Sequence, residues 1–128
     1  MERERNILLC DGNEFNRKLV VAMLKDFPYR IIETENGRDG LEYAINCHEE
    51  IDFMLLDTSM KDMSGIEVCK AIRSSNQDKR QRMTVIAYTA HAMVEECRLL
   101  LANGFDDILT KPVLCRDLTA ILDKHISA

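Results

Sequence analysis

Phe53-Met-Leu-Leu-Asp57 is an unbroken apolar run closed by an acid, and its lack of polar alternation decides the fold. A strand wet on one face alternates apolar and polar residues. A continuous short run suits a strand buried on both faces, as in a parallel sheet covered by helices. Comparable runs recur on either side of it. Ile7-Leu-Leu-Cys10 and Arg30-Ile-Ile-Glu33 precede it, and Val85-Ile-Ala-Tyr88 and Asp107-Ile-Leu-Thr110 follow.

Segments with helical periodicity separate these runs. Asn13 is placed to cap a first helix reaching Phe27, with Leu19, Val20, Met23 and Leu24 as its apolar stripe and Pro28 as its stop. Gly37 to Cys47 carries Leu41, Ala44 and Ile45 at helical spacing. Ser64 can cap a third helix bearing Ile66, Cys69 and Ile72, and the polar stretch Ser74 to Arg82 reads as a loop. Met93 to Ala102 makes a fourth helix, stopped by Asn103-Gly104. Leu114, Leu118, Ile121, Leu122 and Ile126 mark the stripe of the fifth. Strands alternating with helices in this way predict an α/β sheet with right-handed crossovers and helices on both faces.

The 128 residues amount to one domain, 1–128, large enough to stand without disulfides or a structural metal. Lys plus Arg is 17 against 22 for Asp plus Glu, a net charge of -5 that disfavours direct binding of nucleic acid or an anionic membrane. No apolar run approaches the ~20 residues that span a bilayer. Met1-Glu-Arg-Glu-Arg5 is too charged to begin a signal peptide. Cys10, Cys47, Cys69, Cys97 and Cys115 are odd in number and lack metal-ligand spacing, so they read as buried free thiols of a reducing cytoplasm. The seven methionines read as core filler, with Met60 and Met63 beside the strand-end Asp57. His48, His91 and His125 show no paired spacing, and Lys79, Arg80 and Arg82 form a short solvated basic patch.

In open α/β sheets the site lies outside the carboxyl ends of the strands, where strand order reverses. The first run ends at Asp11, the third at Asp57, the fourth at Thr89 and the fifth just before Lys111. Two carboxylates suit a small hard cation such as Mg2+, which keeps several waters and favours a phosphate oxygen. A lysine and a hydroxyl suit the remaining phosphoryl oxygens. A carboxylate can also be the nucleophile that forms an acyl phosphate. The chemistry indicated is phosphoryl transfer onto an aspartate.

These segments resemble the receiver domain of two-component response regulators from Arg5 to about Ile126. The likeness rests on Ile7-Leu-Leu-Cys-Asp11 with Asn13-Glu-Phe-Asn-Arg-Lys18, and on Leu55-Leu-Asp57-Thr-Ser-Met60 with Met63-Ser-Gly65. It rests equally on Val85-Ile-Ala-Tyr-Thr-Ala-His-Ala92 and Gly104-Phe-Asp-Asp-Ile-Leu-Thr-Lys-Pro112. The segments Asn13 to Lys18 and Thr89 to Ala92 look like those of receivers attached to hybrid histidine kinases. The resemblance implies a flavodoxin-like (CheY-like) doubly wound sheet of five parallel strands in the order 2-1-3-4-5, with five helices. It implies that Asp57 is the phosphoacceptor, served by a phosphohistidine on a histidine kinase or histidine phosphotransfer protein. Asp11, Asp57 and the backbone carbonyl of Ser59 would hold Mg2+, Lys111 would pair with the phosphoryl oxygens, and Thr89 would swing toward them. Pro112 matches a proline that usually follows a cis bond. Phosphorylation would shift a two-state surface around the fourth helix and fifth strand. On this reading the chain is no enzyme beyond its own phosphorylation and slow dephosphorylation. It acts alone or as one domain of a longer hybrid kinase.

Three positions depart from that pattern. Gly12 stands where a second acid, the more direct metal ligand, is expected, so Mg2+ binding should be weakened. Lys61 replaces a common proline, and Ile108 takes the place of a switching aromatic residue. Gly12 and Ile108 support the alternative of a degenerate receiver that binds partners without phosphorylation; Asp57, Thr89 and Lys111 speak against it. A haloacid dehalogenase-type phosphatase would need an acid at Ser59, and a flavin-binding protein would need a phosphate loop where Asp11-Gly-Asn-Glu14 presents acids.

Overall fold

The computed structural model describes residues 4–75 and 83–126. Five parallel strands, β1 (Arg5–Cys10), β2 (Tyr29–Thr34), β3 (Phe53–Asp57), β4 (Thr84–Thr89) and β5 (Asp107–Thr110), lie in the order β2-β1-β3-β4-β5. They alternate with α1 (Glu14–Leu24), α2 (Gly37–Asn46), α3 (Gly65–Ser75), α4 (Val94–Ala102) and α5 (Cys115–Ile126). A 3-10 turn at His48–Glu50 leads into β3. Both the architecture and the strand order are those the sequence leads one to expect.

Two cores follow from strand geometry, in which successive side chains point to opposite faces. Leu8, Cys10, Met54, Leu56, Val85 and Ala87 meet Ala44, Val68, Cys69, Ile72 and Leu100 on one face. Ile7, Leu9, Phe53, Leu55, Ile86 and Tyr88 meet Val20, Leu24, Leu118 and Leu122 on the other. Every residue of β3 is buried, which is why its sequence carries no alternation. β2, at the sheet edge, exposes Arg30 and Glu33, and those charges blunt its free edge.

The caps Asn13 and Ser64 lie where the sequence puts them, and Asn36, not expected from it, caps α2. Asn13 and Asn36 accept the N–H groups of Asn16 and Asp39 (3.0 and 2.8 Å). Ser64 Oγ accepts the Glu67 N–H at 3.2 Å while Glu67 Oε1 accepts the Ser64 N–H at 3.4 Å, a reciprocal capping box. Gly104, at φ +105°, closes α4 in the left-handed region that glycine alone enters without strain.

Several expectations need correction. α1 stops at Leu24 rather than Phe27, because the chain tightens into Lys25 N–H···O Ala22 and Phe27 N–H···O Leu24 turns ahead of Pro28. Ser74 and Ser75 belong to α3, whose Ser75 hydroxyl donates back to the Ile72 carbonyl. The rest of the expected loop, with the basic patch Lys79, Arg80 and Arg82, lies outside the described residues. Leu114 precedes α5 and is exposed, and Ile45 faces solvent beside buried Ala44. Of the cysteines, Cys10 and Cys69 are buried, Cys47 and Cys97 half-buried and Cys115 exposed, all as free thiols.

Arg73 gave no sign of its importance in the sequence. Its guanidinium donates to the Gly104 and Met83 carbonyls (2.9 and 2.7 Å) and to Asp106 Oδ2 (2.7 Å). Asp106 Oδ2 also accepts the Val85 N–H at 2.8 Å. One side chain thereby joins α3, the start of β4 and the approach to β5. Arg73→Ala takes the cation from a largely buried carboxylate and a donor from two carbonyls, and should cost about 3 kcal/mol. A lowered urea midpoint checks this, and Arg73→Lys should recover little because an ammonium cannot reproduce the fork.

Candidate functional site

Strand register brings the chemistry together. Cys10 pairs with Leu56, so Asp11 and Asp57 emerge from β1 and β3 side by side. Asp57 pairs with Tyr88 and Thr89 with Thr110, which delivers Thr89 and Lys111 to the same rim. Asp11 is 0% and Asp57 5% exposed. They line a cleft of about 490 Å³ together with Gly12, Ser59, Lys61 and Lys111.

Hydrogen bonds hold each carboxylate by one oxygen. The Asn13 N–H donates to Asp11 Oδ1 (2.8 Å) and the Ser59 N–H to Asp57 Oδ1 (3.0 Å). Asp11 Oδ2 is buried without a hydrogen-bond partner. Lys111 Nζ lies 3.2 Å from Asp57 Oδ1 and 3.9 Å from Asp11 Oδ2, and 4.8 Å from the centre of the Tyr88 ring. A lysine here serves both acids and adds a cation–π contact. The Lys111–Pro112 peptide is cis.

Burial pushes the Asp57 carboxyl above its ordinary value. The Ser59 N–H and the Lys111 ammonium pull it down, and the Asp11 charge adds to the rise. Burial, with the same two acids, lifts the Tyr88 hydroxyl to about 12. Cys10 is raised mainly by burial to about 11, which keeps it an inert thiol at neutral pH.

Thr89 stands at the end of β4, but its hydroxyl is engaged with its own loop. It donates to the His91 carbonyl (3.2 Å) and accepts the His91 N–H (3.1 Å). It does not line the cleft. Asp11, Asp57, Ser59 and Lys111 are therefore assembled, and Thr89 is adjacent with its hydroxyl committed elsewhere.

Sequence reasoning assigned no role to three supports. Arg17 donates to the Asp11 carbonyl (2.7 Å) and pairs with Glu33 (3.3 Å), tying α1 and β2 to the end of β1. Asp62 accepts the Gly37 and Arg38 N–H groups (2.9 and 2.8 Å), which docks the β3–α3 loop on the start of α2. Gly65 approaches the backbone so closely that a Cβ would stand 2.7 Å from Thr58 Cα and 2.8 Å from the Asp57 carbonyl oxygen. Only for Gly65 was a signal available, as an invitation to close approach after a capping serine.

The donor set suits a hard divalent cation. It offers two carboxylate side chains, one with a buried oxygen in want of a partner, beside the Ser59 backbone. Among the described residues no three acidic, histidine or cysteine side chains converge on one point, so any ion would keep much of its water, as Mg2+ does.

Residues 7–123 match the response regulator receiver domain model. The chain belongs to that family, the receiver domains of two-component signal transduction. It is 35% identical over 125 residues to the sensor protein GacS of Pseudomonas syringae pv. syringae, covering 95% of this chain and 13% of that protein. Against hybrid signal transduction histidine kinase I of Dictyostelium discoideum it is 28% identical, covering 95% of this chain and 7% of the kinase. The chain thus spans a small part of the curated relatives it matches. Among solved structures, the receiver domain of sensor histidine kinase PA1611 from Pseudomonas aeruginosa superposes with a TM-score of 0.84 at 28% identity, over 97% of this chain and 98% of that one. That structure has a magnesium ion coordinated in its active-site cleft.

The raised Asp57 pKa has a thermodynamic consequence. The folded state holds the Asp57 proton more tightly than the unfolded chain does, so stability is lost as pH rises from the unfolded value toward the folded one. Without divalent cation, Asp57→Asn should therefore melt a few degrees above the wild type at neutral pH. The gap should narrow as pH falls from the raised folded value and be gone below the ordinary value of 3.8. Thermal melts across pH check this. A wild type more stable than the variant at neutral pH would mean that the Lys111 pairing outweighs burial.

Proposed function

We propose that this receiver accepts a phosphoryl group on Asp57 from a phosphohistidine and passes the signal on by a conformational change. The observation that carries the reading is the buried Asp57 carboxylate, set by register beside Asp11 and paired with Lys111 at 3.2 Å. An Asp57 oxygen attacks phosphorus, the phosphorus–nitrogen bond breaks, and its electron pair stays on the departing imidazole. Lys111 balances negative charge on the phosphoryl oxygens. Asp11, Asp57 and the Ser59 carbonyl would hold Mg2+, whose role when bound is to offset charge on the phosphoryl group. Gly12 removes one carboxylate and weakens that site.

The switch proposed is an exchange of partners at Thr89. Its hydroxyl leaves the His91 backbone for a phosphoryl oxygen, and the β4–α4 loop follows. The donor is a histidine kinase or histidine phosphotransfer protein, and similarity to hybrid kinases supports a place within a longer chain of that kind. The free cysteines favour the cytoplasm as its setting. No catalysis beyond self-phosphorylation and slow self-dephosphorylation is proposed.

Acetyl phosphate with Mg2+ should add one phosphoryl mass to the wild type and none to Asp57→Asn, read by intact mass spectrometry. An unmodified wild type would favour the second reading, a phosphorylation-independent binding module, which Gly12 supports. A further expectation concerns Ile108, which is half-buried against the α4-side core. With no aromatic ring there to follow Thr89, NMR shift changes on adding beryllofluoride should concentrate after Asp57 and Thr89. A maximum at Ile108 and Leu109 would contradict this.

A further inference from the structure

Gly12 offers no acid to the rim, and the backbone beside that position belongs to Glu35. A Cβ at residue 12 would stand 3.4 Å from the backbone carbonyl oxygen of Glu35, on the loop between β2 and α2, so the two positions are neighbours across the cleft wall. Glu35 lines the same cleft as Asp11 and Asp57. The other nearby acids are committed. Glu14 pairs with Lys18 at 3.0 Å, Glu33 with Arg17 at 3.3 Å, and Asp62 caps the first N–H groups of α2. Glu35 is exposed and its carboxylate has neither a hydrogen bond nor an ion pair among the described residues.

A free acid on a rim would mean little alone. Here it shares its cleft with Asp11 Oδ2, which is fully buried and has no hydrogen-bond partner. An oxygen left in that condition is costly unless something positive or hydrogen-bonding completes it. Lys111, at 3.9 Å, is spent chiefly on Asp57 at 3.2 Å. Lys61 also lines the cleft, and its positive charge together with a neutral residue 12 lessens the attraction for a dication.

We propose that Glu35 is an outer carboxylate of the divalent-cation site, acting through metal-bound water in the space Gly12 leaves open. The inference rests on the reading of the cleft as the receiver's cation site. Water mediation follows from the absence, among the described residues, of three converging ligand side chains, and from the reluctance of Mg2+ to give up its waters. Outer-shell acids of this kind accept hydrogen bonds from coordinated water and add long-range attraction. Glu35 would then be a positioning residue, taken from another loop to make up part of what residue 12 does not supply.

The test is a double-mutant cycle read by MgCl2 titration of backbone amide NMR shifts at Ser59 and residue 12, without any phosphoryl donor. Glu35→Gln should weaken Mg2+ binding by roughly tenfold in the natural Gly12 background. Gly12→Asp should tighten binding at least about tenfold, and Glu35→Gln in that background should matter by less than about twofold. Glu14→Gln, an equal charge change just outside the cleft, should leave affinity unchanged. No loss in Glu35→Gln alone would overturn the inference. So would an equal loss in both backgrounds, or one matched by Glu14→Gln, since either marks a general field effect. If neither Gly12 nor Gly12→Asp protein binds Mg2+, the reading of the cleft falls together with the role of Glu35. Wild-type binding with an unaffected Glu35→Gln removes only the latter. Glu35 is solvent-facing, so metal-free melting temperatures of the wild type and Glu35→Gln should agree.

Discussion

Two carboxylates held side by side at the edge of an apolar sheet would repel each other and lose their water, and the Lys111 ammonium is what makes the arrangement tolerable. It lies within reach of both, nearer to Asp57. Its compensation is partial: burial still lifts Asp57 above its ordinary pKa and Asp11 keeps an oxygen without a hydrogen bond. The resting site is therefore short of positive charge. That shortage is what an incoming cation relieves, and it gives the rim a reason to respond when its charge changes.

Much of this was legible in the sequence because the sheet is parallel and buried. Runs such as Phe53 to Leu56 have no polar residue to misplace, and a parallel register aligns the residue after each run on one rim. Asp11, Asp57 and Lys111 could be placed together from that argument alone. The caps Asn13, Asn36 and Ser64 are short-range chemistry; Asn13 and Ser64 were read directly. What escaped were long-range polar contacts. Arg73 reaches Asp106 across 33 residues and Asp62 reaches Gly37 across 25, and no local pattern announces either. Leu114 and Ile45 were misassigned for a related reason. Helical spacing identifies a stripe, but its margins are decided by neighbours that periodicity does not name.

Thr89 illustrates the difference between placing a residue and orienting it. The register fixes its backbone beside Thr110, with Lys111 N–H donating to the Thr89 carbonyl at 2.8 Å. The hydroxyl satisfies the His91 backbone, both donating to its carbonyl and accepting its N–H. The proposed turn toward the cleft would give up both of these contacts. The cost of turning is the exchange of hydrogen bonds, each worth only about 0.5–1.5 kcal/mol net.

The opposite end of the sheet shows what the same residue types do when their partners are complete. There Asp52 accepts the Asn6 N–H, Asp106 is gripped by Arg73, and Asp107 lies 3.0 Å from His125 and 3.1 Å from Lys124. Burial would raise Asp107, yet the Ile108 N–H and the two side chains outweigh it and leave its pKa lowered. Its charge therefore supports the fold above the unfolded carboxylate pKa, and that support is lost as pH falls through the folded value. Asp57 has the opposite sign, its charge opposing the fold at neutral pH. The sheet thus separates its duties by end. Acids at the amino ends of the strands are satisfied and hold the structure together. At the carboxyl ends Asp11 and Asp57 are left wanting, one with an oxygen lacking a hydrogen bond and the other with its pKa raised by burial.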